Sequence, residues 1–311
     1  MNTLREKIKN INIKGNIVFS EPMKKHTSFR VGGPAEVYAV PESYEDIQTL
    51  IHFAEKQNVQ WVVLGSGANI LVSDKGIKGI VINTENINTI TVTGETLIAE
   101  AGVTTEAAVT HALHNGLVGL EFLSGMPGSI GGAVWMNARC YGQEISGIIH
   151  KATILTRDLE IRSIKTRKED FDYKISPFQK EAAIILNAEF TLKKGEILSA
   201  KKRGADYKQD RERKGHYRLP SAGSVFMNDR TIGKPSGQII DECGLKGMSI
   251  GGAKIADWHG NIIVNTGDAK ARDIFALIVE ARNKVLAETG YYLQPEIRFI
   301  GEWEGLNEFK L

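Results

Sequence analysis

Gly125-Met126-Pro127-Gly128-Ser129-Ile130-Gly131-Gly132-Ala133 sets four glycines, a serine and a proline into nine positions. Proline fixes one backbone torsion and glycine frees the others, so this run is a folded loop rather than the interior of a helix or strand. No bulky side chains stand in front of its amides. Such a nest of N–H groups suits a diphosphate. The loop needs flanking α/β elements to hold it, and the rest of the sequence is read from that requirement.

A second glycine run, Gly65-Ser66-Gly67-Ala68-Asn69-Ile70, follows the apolar stretch Trp61-Val62-Val63-Leu64. A glycine pair after a strand invites comparison with the dinucleotide fingerprint. The third glycine is missing, and the continuation Leu71-Val72-Ser73-Asp74-Lys75-Gly76 reads as strand and turn rather than helix. The run therefore fails the structural condition for a Rossmann phosphate site. Taken alone it is a tight turn. Taken with the first loop, one from each of two α/β segments, it predicts an extended cofactor lying between those segments, where such ligands usually sit.

The 32 glycines of the 311 residues are about a tenth of the chain, against ~7% in ordinary proteins. They cluster at 65–67, 125–132 and 244–252. Otherwise the composition is that of a soluble globular protein, 42% hydrophobic and 24% charged. A net charge of +2 gives no reason to expect nucleic acid as a partner. No apolar run is long enough to span a bilayer, and the mixed N-terminus has no signal-peptide pattern, so the cytoplasm is the expected location. The two cysteines, Cys140 and Cys243, read as small buried hydrophobes in a reducing compartment. No His/Cys/Asp set has metal spacing, so no metal is expected.

The order of elements predicts three packed segments. Residues 1–88 hold a strand through His26–Pro41, a helix opened by the Ser43–Asp46 capping pattern with Ile47, Leu50, Ile51 and Ala54 on one face, and two further β-runs. Residues 89–196 hold a hairpin, a helix from Thr105 to Asn115 stopped by Gly116, and short strands up to Lys194. Residues 197–303 begin with a charged helical stretch, read as solvated. They continue with a helix Ser236–Cys243 and a long one from Ala269 to Glu288 that Gly290 stops. Gly301–Leu311 reads as a tail, with 304–311 outside the segments.

Six motifs now stand in order. They are HTSFRVGGPA (26–35), LGSGANILVSDKG (64–76), GMPGSIGGAVWMNA (125–138), PSAGSVF with Asn228 (220–228), GLKG-SIGGAKIAD-HGNIIVN (244–265) and QPEIRFIG (294–301). Together they resemble the UDP-N-acetylenolpyruvoylglucosamine reductase family over about residues 20–300. The resemblance is to the shorter type, without the extra tyrosine-bearing loop, because only a short charged segment separates Thr191–Ile197 from the PSAGS run. It implies an α+β protein: an FAD-binding fold of the vanillyl-alcohol-oxidase (PCMH) type made of two α/β subdomains, plus a third α/β substrate-binding domain. It implies non-covalent FAD, with NADPH as hydride-donating co-substrate taking turns with a UDP-sugar in one pocket. A monomer acting on small molecules is expected, with no nucleic acid and no membrane.

In such an enzyme hydride passes from NADPH to the flavin and then to C3 of the enolpyruvyl ether of UDP-N-acetylglucosamine. Negative charge develops at C2 and on the carboxylate, so an acid must sit near C2 and cations must spread the charge. The resemblance makes Ser224 the proton donor, although its local sequence is that of a turn serine and no nucleophile elbow surrounds it. It makes Glu296 the catalytic carboxylate, Asn228 and Tyr173 substrate contacts, and Lys214 a partner of the nucleotide diphosphate. Gly65, Ser66, Gly67, Ala68, Asn69 and Ile70 are expected at the cofactor, as are Gly125, Pro127, Gly128, Ser129, Gly132 and Asn137.

Two departures stand out. FDYKIS (171–176) places Lys174 where the family has arginine, so a point charge replaces a planar fork at the third catalytic position. NARCYG (137–142) places Arg139 and Cys140 where NAGAYG is common. Two other readings remain at this stage: a flavin oxidase of the same fold, and a non-catalytic nucleotide-binding protein. Neither explains both PSAGSVF and QPEIRFIG.

Overall fold

The computed structural model describes residues 4–180 and 183–305. The chain divides into two compact units, each assembled from separated stretches of sequence. One comprises Met1–Phe19, Val37–Ser66 and Gly79–Asp210, the other Ser20–Glu36, Gly67–Lys78 and Arg211–Leu311. The expected borders near 88 and 196 fall inside the first unit. The expected first segment is itself shared between the two units.

In the first unit the helix Tyr44–Lys56 starts as its sequence dictates, with the Ser43 hydroxyl accepting a hydrogen bond from the Asp46 amide. Its stripe Ile47, Leu50, Ile51 and Ala54 is fully buried. It packs with Val37, Ala39, Ile80 and Ile82 from a four-stranded sheet whose order is Asn16–Pro22, Pro34–Val40, Ile77–Asn83, Trp61–Leu64. The last two strands run parallel, Trp61 opposite Ile80 and Leu64 opposite Asn83. Alternating side chains on such strands send one face to the helix.

A five-stranded antiparallel sheet follows, in the order Ile161–Lys165, Ile149–Leu155, Ile184–Thr191, Thr96–Glu100, Ile90–Thr93. The helix Thr105–His114 is capped by Thr104, which accepts from the Ala107 amide. It buries Ala108, Val109 and Ala112 in the same core as Leu97, Ala99, Ile130 and Phe190. The charged helix Ile197–Arg213 is less solvated than its composition predicts. Ala200 and Gly204 are buried, and Arg203 pairs with Glu121 while Lys208 pairs with Glu106.

The second unit holds a three-stranded antiparallel sheet, Ser249–Ile250, Ala253–Ile255 and Ile263–Asn265. Against it lies the helix Ala271–Thr289, with Ile274, Leu277, Ile278, Ala281 and Val285 wholly buried. Gly290 ends that helix at φ 73°, a left-handed conformation that glycine adopts without strain. The strand Ile70–Val72 pairs in parallel with Arg298–Ile300, Ile70 opposite Arg298. That pairing is why residues 67–78 belong with the C-terminal part rather than with the α/β segment that precedes them. Beyond Gly301 the chain is partly packed: Trp303 meets Phe275 and Phe299, and its ring N–H donates to the Ile300 carbonyl. Residues 306–311 of the expected tail lie outside the described residues.

Candidate active site

The glycine loops meet in the first unit. A Cβ placed on Gly65 would stand 2.1 Å from the Ser129 hydroxyl oxygen. One placed on Gly131 would stand 2.9 Å from the Ala101 Cβ. The Gly65 backbone therefore lies directly against the Ser129 side chain and the Gly131 backbone against Ala101, so a larger residue fits at either point only if its neighbour shifts.

Most of the 125–133 amides serve the protein itself. Gly125 donates to Glu106 Oε2 at 3.1 Å, Met126 to the Leu123 carbonyl, Ile130 to Val103 and Gly131 to Ala101. The Ser129 hydroxyl accepts from the Gly132 amide and caps the short helix Ile130–Trp135. The open nest expected from sequence is thus narrower. Ser129 faces Thr104 in an isolated antiparallel bridge whose bonds run from Thr105 to the Gly128 carbonyl and from Ile130 to Val103. In that register the N–H of Ser129 points away from its partner strand. Among the described residues, the amides of Ser66, Gly128 and Ser129 donate to no protein acceptor. Ser129 is only 3% exposed. Buried amides are nearly always paired, so the Ser129 donor fits an anionic ligand such as the diphosphate of FAD, and the exposed Ser66 and half-buried Gly128 amides are open to the same ligand.

Asn137, also expected at the cofactor, is 1% exposed with both ends of its amide engaged. Its Oδ1 accepts from Ser146 N–H at 3.0 Å and its Nδ2 donates to the Asp172 carbonyl at 3.0 Å. Tyr173 and Lys174 form the tip of a turn that closes between Asp172 and Ile175. Of the remaining first-unit residues, Pro127 lies in the loop itself.

The second unit holds Gly67, Ala68, Asn69, Ile70, Lys214, Ser224, Asn228 and Glu296. Gly67, at φ 65°, leaves only 2.0 Å between an added Cβ and the His26 carbonyl oxygen. Asn69 donates from Nδ2 to the Glu296 carbonyl at 3.1 Å and accepts from Arg298 N–H at 3.0 Å. The second glycine run therefore also holds the backbone of the expected catalytic carboxylate.

Ser224 and Glu296 sit on joined segments. Glu296 N–H donates to the Val225 carbonyl at 2.7 Å, and Phe226 bridges Pro295. On the other side Ser224 bridges Ile262, with Val225 N–H donating to the Asn261 carbonyl at 2.9 Å. Val225 and Phe226 point into the core, while Ser224 stays half-exposed. The Ser224 hydroxyl has no protein partner among the described residues. Gly223, at φ 72°, supplies the bend before it.

Asn261 is the residue the sequence reading missed. It is 3% exposed, its Oδ1 accepts from Phe226 N–H and its Nδ2 donates to the Phe226 carbonyl, both at 2.8 Å. The side chain imitates a strand neighbour for the residue two beyond Ser224. Its own N–H donates to His259 Nδ1 at 3.1 Å. Burial lowers the His259 pKa, and the nearby Lys214 and Lys246 push it the same way, against a backbone contact that raises it. His259 is thus a neutral acceptor in the turn. Asn228 uses its Oδ1 to accept from the Ser236 N–H at the start of the helix Ser236–Glu242. Lys214 is exposed just past the end of the charged helix.

Residues 35–164 match the model of an FAD binding domain. With the paired glycine loops and their outward amides, that places the chain in the class of FAD-binding proteins. Residues 215–300 match the C-terminal domain of UDP-N-acetylenolpyruvoylglucosamine reductase. The reductase of that name from Treponema denticola is 41% identical, over 93% of this chain and 95% of its own. The one from Caldanaerobacter subterraneus subsp. tengcongensis is 39% identical, over 96% and 98%. The crystal structure of UDP-N-acetylenolpyruvylglucosamine reductase from Thermus caldophilus has a TM-score of 0.76 at 31% identity, over 93% of this chain and all of that one. The chain belongs to the UDP-N-acetylenolpyruvoylglucosamine reductase family.

Proposed function

We propose that the protein reduces the enolpyruvyl ether of UDP-N-acetylglucosamine enolpyruvate to UDP-N-acetylmuramate, in peptidoglycan precursor synthesis, with FAD as cofactor and NADPH as electron donor. The glycine loops, with the amides of Ser66, Gly128 and Ser129, hold the FAD diphosphate. Bound FAD supplies the hydride relay from NADPH to C3 of the substrate. The protein's own residues supply the proton and the charge compensation. Ser224 delivers a proton to C2, so that one hydride and one proton saturate the double bond and NADP⁺ leaves. A serine hydroxyl is a weak acid and needs help, which Glu296 gives by polarising a hydroxyl or water near C2. Lys174 neutralises the substrate carboxylate as charge builds. Lys214 meets the nucleotide diphosphate, and Tyr173 and Asn228 contact the substrate.

The observation that carries the reading is the strand pairing at Ser224. It fixes a serine with an unpartnered hydroxyl beside the segment that bears Glu296, through the 2.7 Å bond from Glu296 N–H to the Val225 carbonyl. A bend serine of purely structural use is normally hydrogen-bonded to its neighbours. Among the described residues no helix is long and apolar enough to cross a membrane, and the reading includes a cytoplasmic monomer acting on small molecules.

The test is an anaerobic spectrum. Purified protein is bleached with NADPH and mixed with UDP-N-acetylglucosamine enolpyruvate. Return of the yellow colour only with the sugar nucleotide supports the reductase. Return with oxygen alone assigns the oxidase reading instead, and protein without flavin removes both. Ser224→Ala is expected to bleach normally and to recolour at least about a hundredfold more slowly, the lower end of what general acid catalysis contributes.

A further inference from the structure

We infer that Asn137 and Gln179 are positioning residues for Lys174: together they hold the Asp172–Ile175 turn so that the lysine cation is aimed from a fixed backbone. The inference rests on the role given to Lys174 above.

Lys174 lies at φ 61°, in the left-handed region. That conformation is disfavoured for a residue with a Cβ, and glycine is its usual occupant. The turn is closed on both sides, Asp172 N–H to the Ile175 carbonyl at 3.0 Å and Ile175 N–H to the Asp172 carbonyl at 3.1 Å. Outside it, three side chains tie it to one short segment, Trp135–Asn137. Asn137 Nδ2 donates to the Asp172 carbonyl. Gln179 Nε2 donates both to the Lys174 carbonyl at 2.9 Å and to the Trp135 carbonyl at 2.6 Å. Ser176, fully buried, donates from Oγ to the same Trp135 carbonyl at 2.8 Å. Asn137 is itself left-handed, at φ 41°. Two strained residues are thus joined through one set of hydrogen bonds, and strain of this kind persists only where its surroundings over-determine it.

The family's arginine grips a carboxylate with a planar fork and so orients itself on its ligand. A lysine is a point charge on a flexible four-carbon stem and has no such grip. Here direction has to come from the backbone, and the clamp supplies it. The Lys174 ammonium stands 6.0 Å from the Tyr173 ring centroid.

The experiment is a stopped-flow comparison on holoenzyme in two backgrounds. Gln179→Met keeps the length of the side chain and removes both donors. It is expected to retain FAD, to bleach with NADPH at the wild-type rate, and to be reoxidised by UDP-N-acetylglucosamine enolpyruvate about tenfold more slowly, the effect of one or two lost hydrogen bonds. In the Lys174→Ala background the same change is expected to add nothing, because there is no cation left to aim. Lys174→Gly is expected to raise the melting temperature by relieving the left-handed strain, yet to be reoxidised as slowly as Lys174→Ala. Equal slowing by Gln179→Met in both backgrounds, or equal slowing of bleaching and reoxidation, overturns the inference. If Lys174→Ala alone is reoxidised at the wild-type rate, the role of Lys174 fails first, and that is visible without any change at Gln179. Should Gln179→Met not fold, Gln179→Glu removes the same donors and serves in the same comparison.

Discussion

The glycine loops of the first unit and the Ser224 strand of the second build their sites by opposite means. In the loops the missing side chain is what shapes the proposed site. At Gly65 and Gly131 the space for a Cβ is already filled, and in the proposed reading amides do the binding. At Ser224 a few side chains do the building. Asn261 stands in for a strand, Asn69 holds the Glu296 carbonyl, and His259 holds Asn261. A backbone site is disrupted by adding atoms, and a side-chain site by removing them.

Opposite changes should therefore break the two sites. Asn261→Ala strips the Phe226 N–H and carbonyl of partners in a buried setting. Orphaned buried groups cost about 1–3 kcal/mol each, so a loss of about 3 kcal/mol is expected in a denaturant melt. Reoxidation by the sugar nucleotide should slow with it, while flavin content stays near that of the wild type. Gly65→Ala should do the reverse. The overpacked Cβ costs about 1–3 kcal/mol, weakening FAD binding about tenfold to a hundredfold, as read by flavin released on dilution. Adding Ser129→Ala should recover part of the affinity. It removes the 2.1 Å contact and leaves only the Ser129 Cβ at 3.2 Å. If Gly65→Ala keeps its flavin, the close approach of the two loops is not what retains the cofactor.

Legibility followed the same divide. Signals that lie within one turn were readable: Ser43 before Asp46, Thr104 before Ala107, Gly290 after the long apolar stripe. The glycine clusters were readable too, because glycine marks its own conformational demand. Long-range pairings left no such mark. Ile70–Val72 is as apolar as any strand of the preceding α/β segment, and nothing local says that its neighbour is Arg298–Ile300. The Asn69 amide meets the Glu296 carbonyl across 227 residues of sequence. Asn261 sits in a quoted motif, yet its neighbours Gly260 and Ile262 give no sign that it pairs with Phe226. The charged helix Ile197–Arg213 hid its anchors for a similar reason. Arg203 and Lys208 look like solvated charges until Glu121 and Glu106 are placed beside them.

Acid should separate the two regions again. His259 titrates below its ordinary 6.5 because burial, reinforced by Lys214 and Lys246, disfavours the charged ring. The unfolded chain therefore binds this proton more readily than the folded one. Stability from this group is full above about pH 6.5 and is lost as pH falls through the folded value. Protonation also removes the acceptor for Asn261 N–H. The melting temperature should fall below about pH 6.5, and His259→Asn should lack that part of the fall. The glycine loops 65–70 and 125–133 contain no titratable side chain, so FAD affinity measured in the same buffers should not follow the His259 titration.

The smallest effects offer the finest contrast, because two helix caps of equal energy differ in what their helices touch. Ser43→Ala and Thr104→Ala each remove one capping bond and should each lower stability by about 1 kcal/mol. The Ser43 helix packs on its sheet and has no hydrogen bond to the 125–133 loop. The Thr104 helix is fastened to that loop three times. Thr105 N–H donates to the Gly128 carbonyl, the Thr105 hydroxyl to the Met126 carbonyl, and Glu106 accepts from Gly125 N–H. Fraying its first turn loosens the carbonyl that fixes Gly128 and with it the direction of the neighbouring amides. Thr104→Ala should therefore weaken FAD binding several-fold while Ser43→Ala leaves it unchanged, at matched losses in melting temperature. Equal FAD affinities in the two variants would mean that the loop keeps its shape without the helix, and that the amides of Gly128 and Ser129 are aimed by the glycines alone.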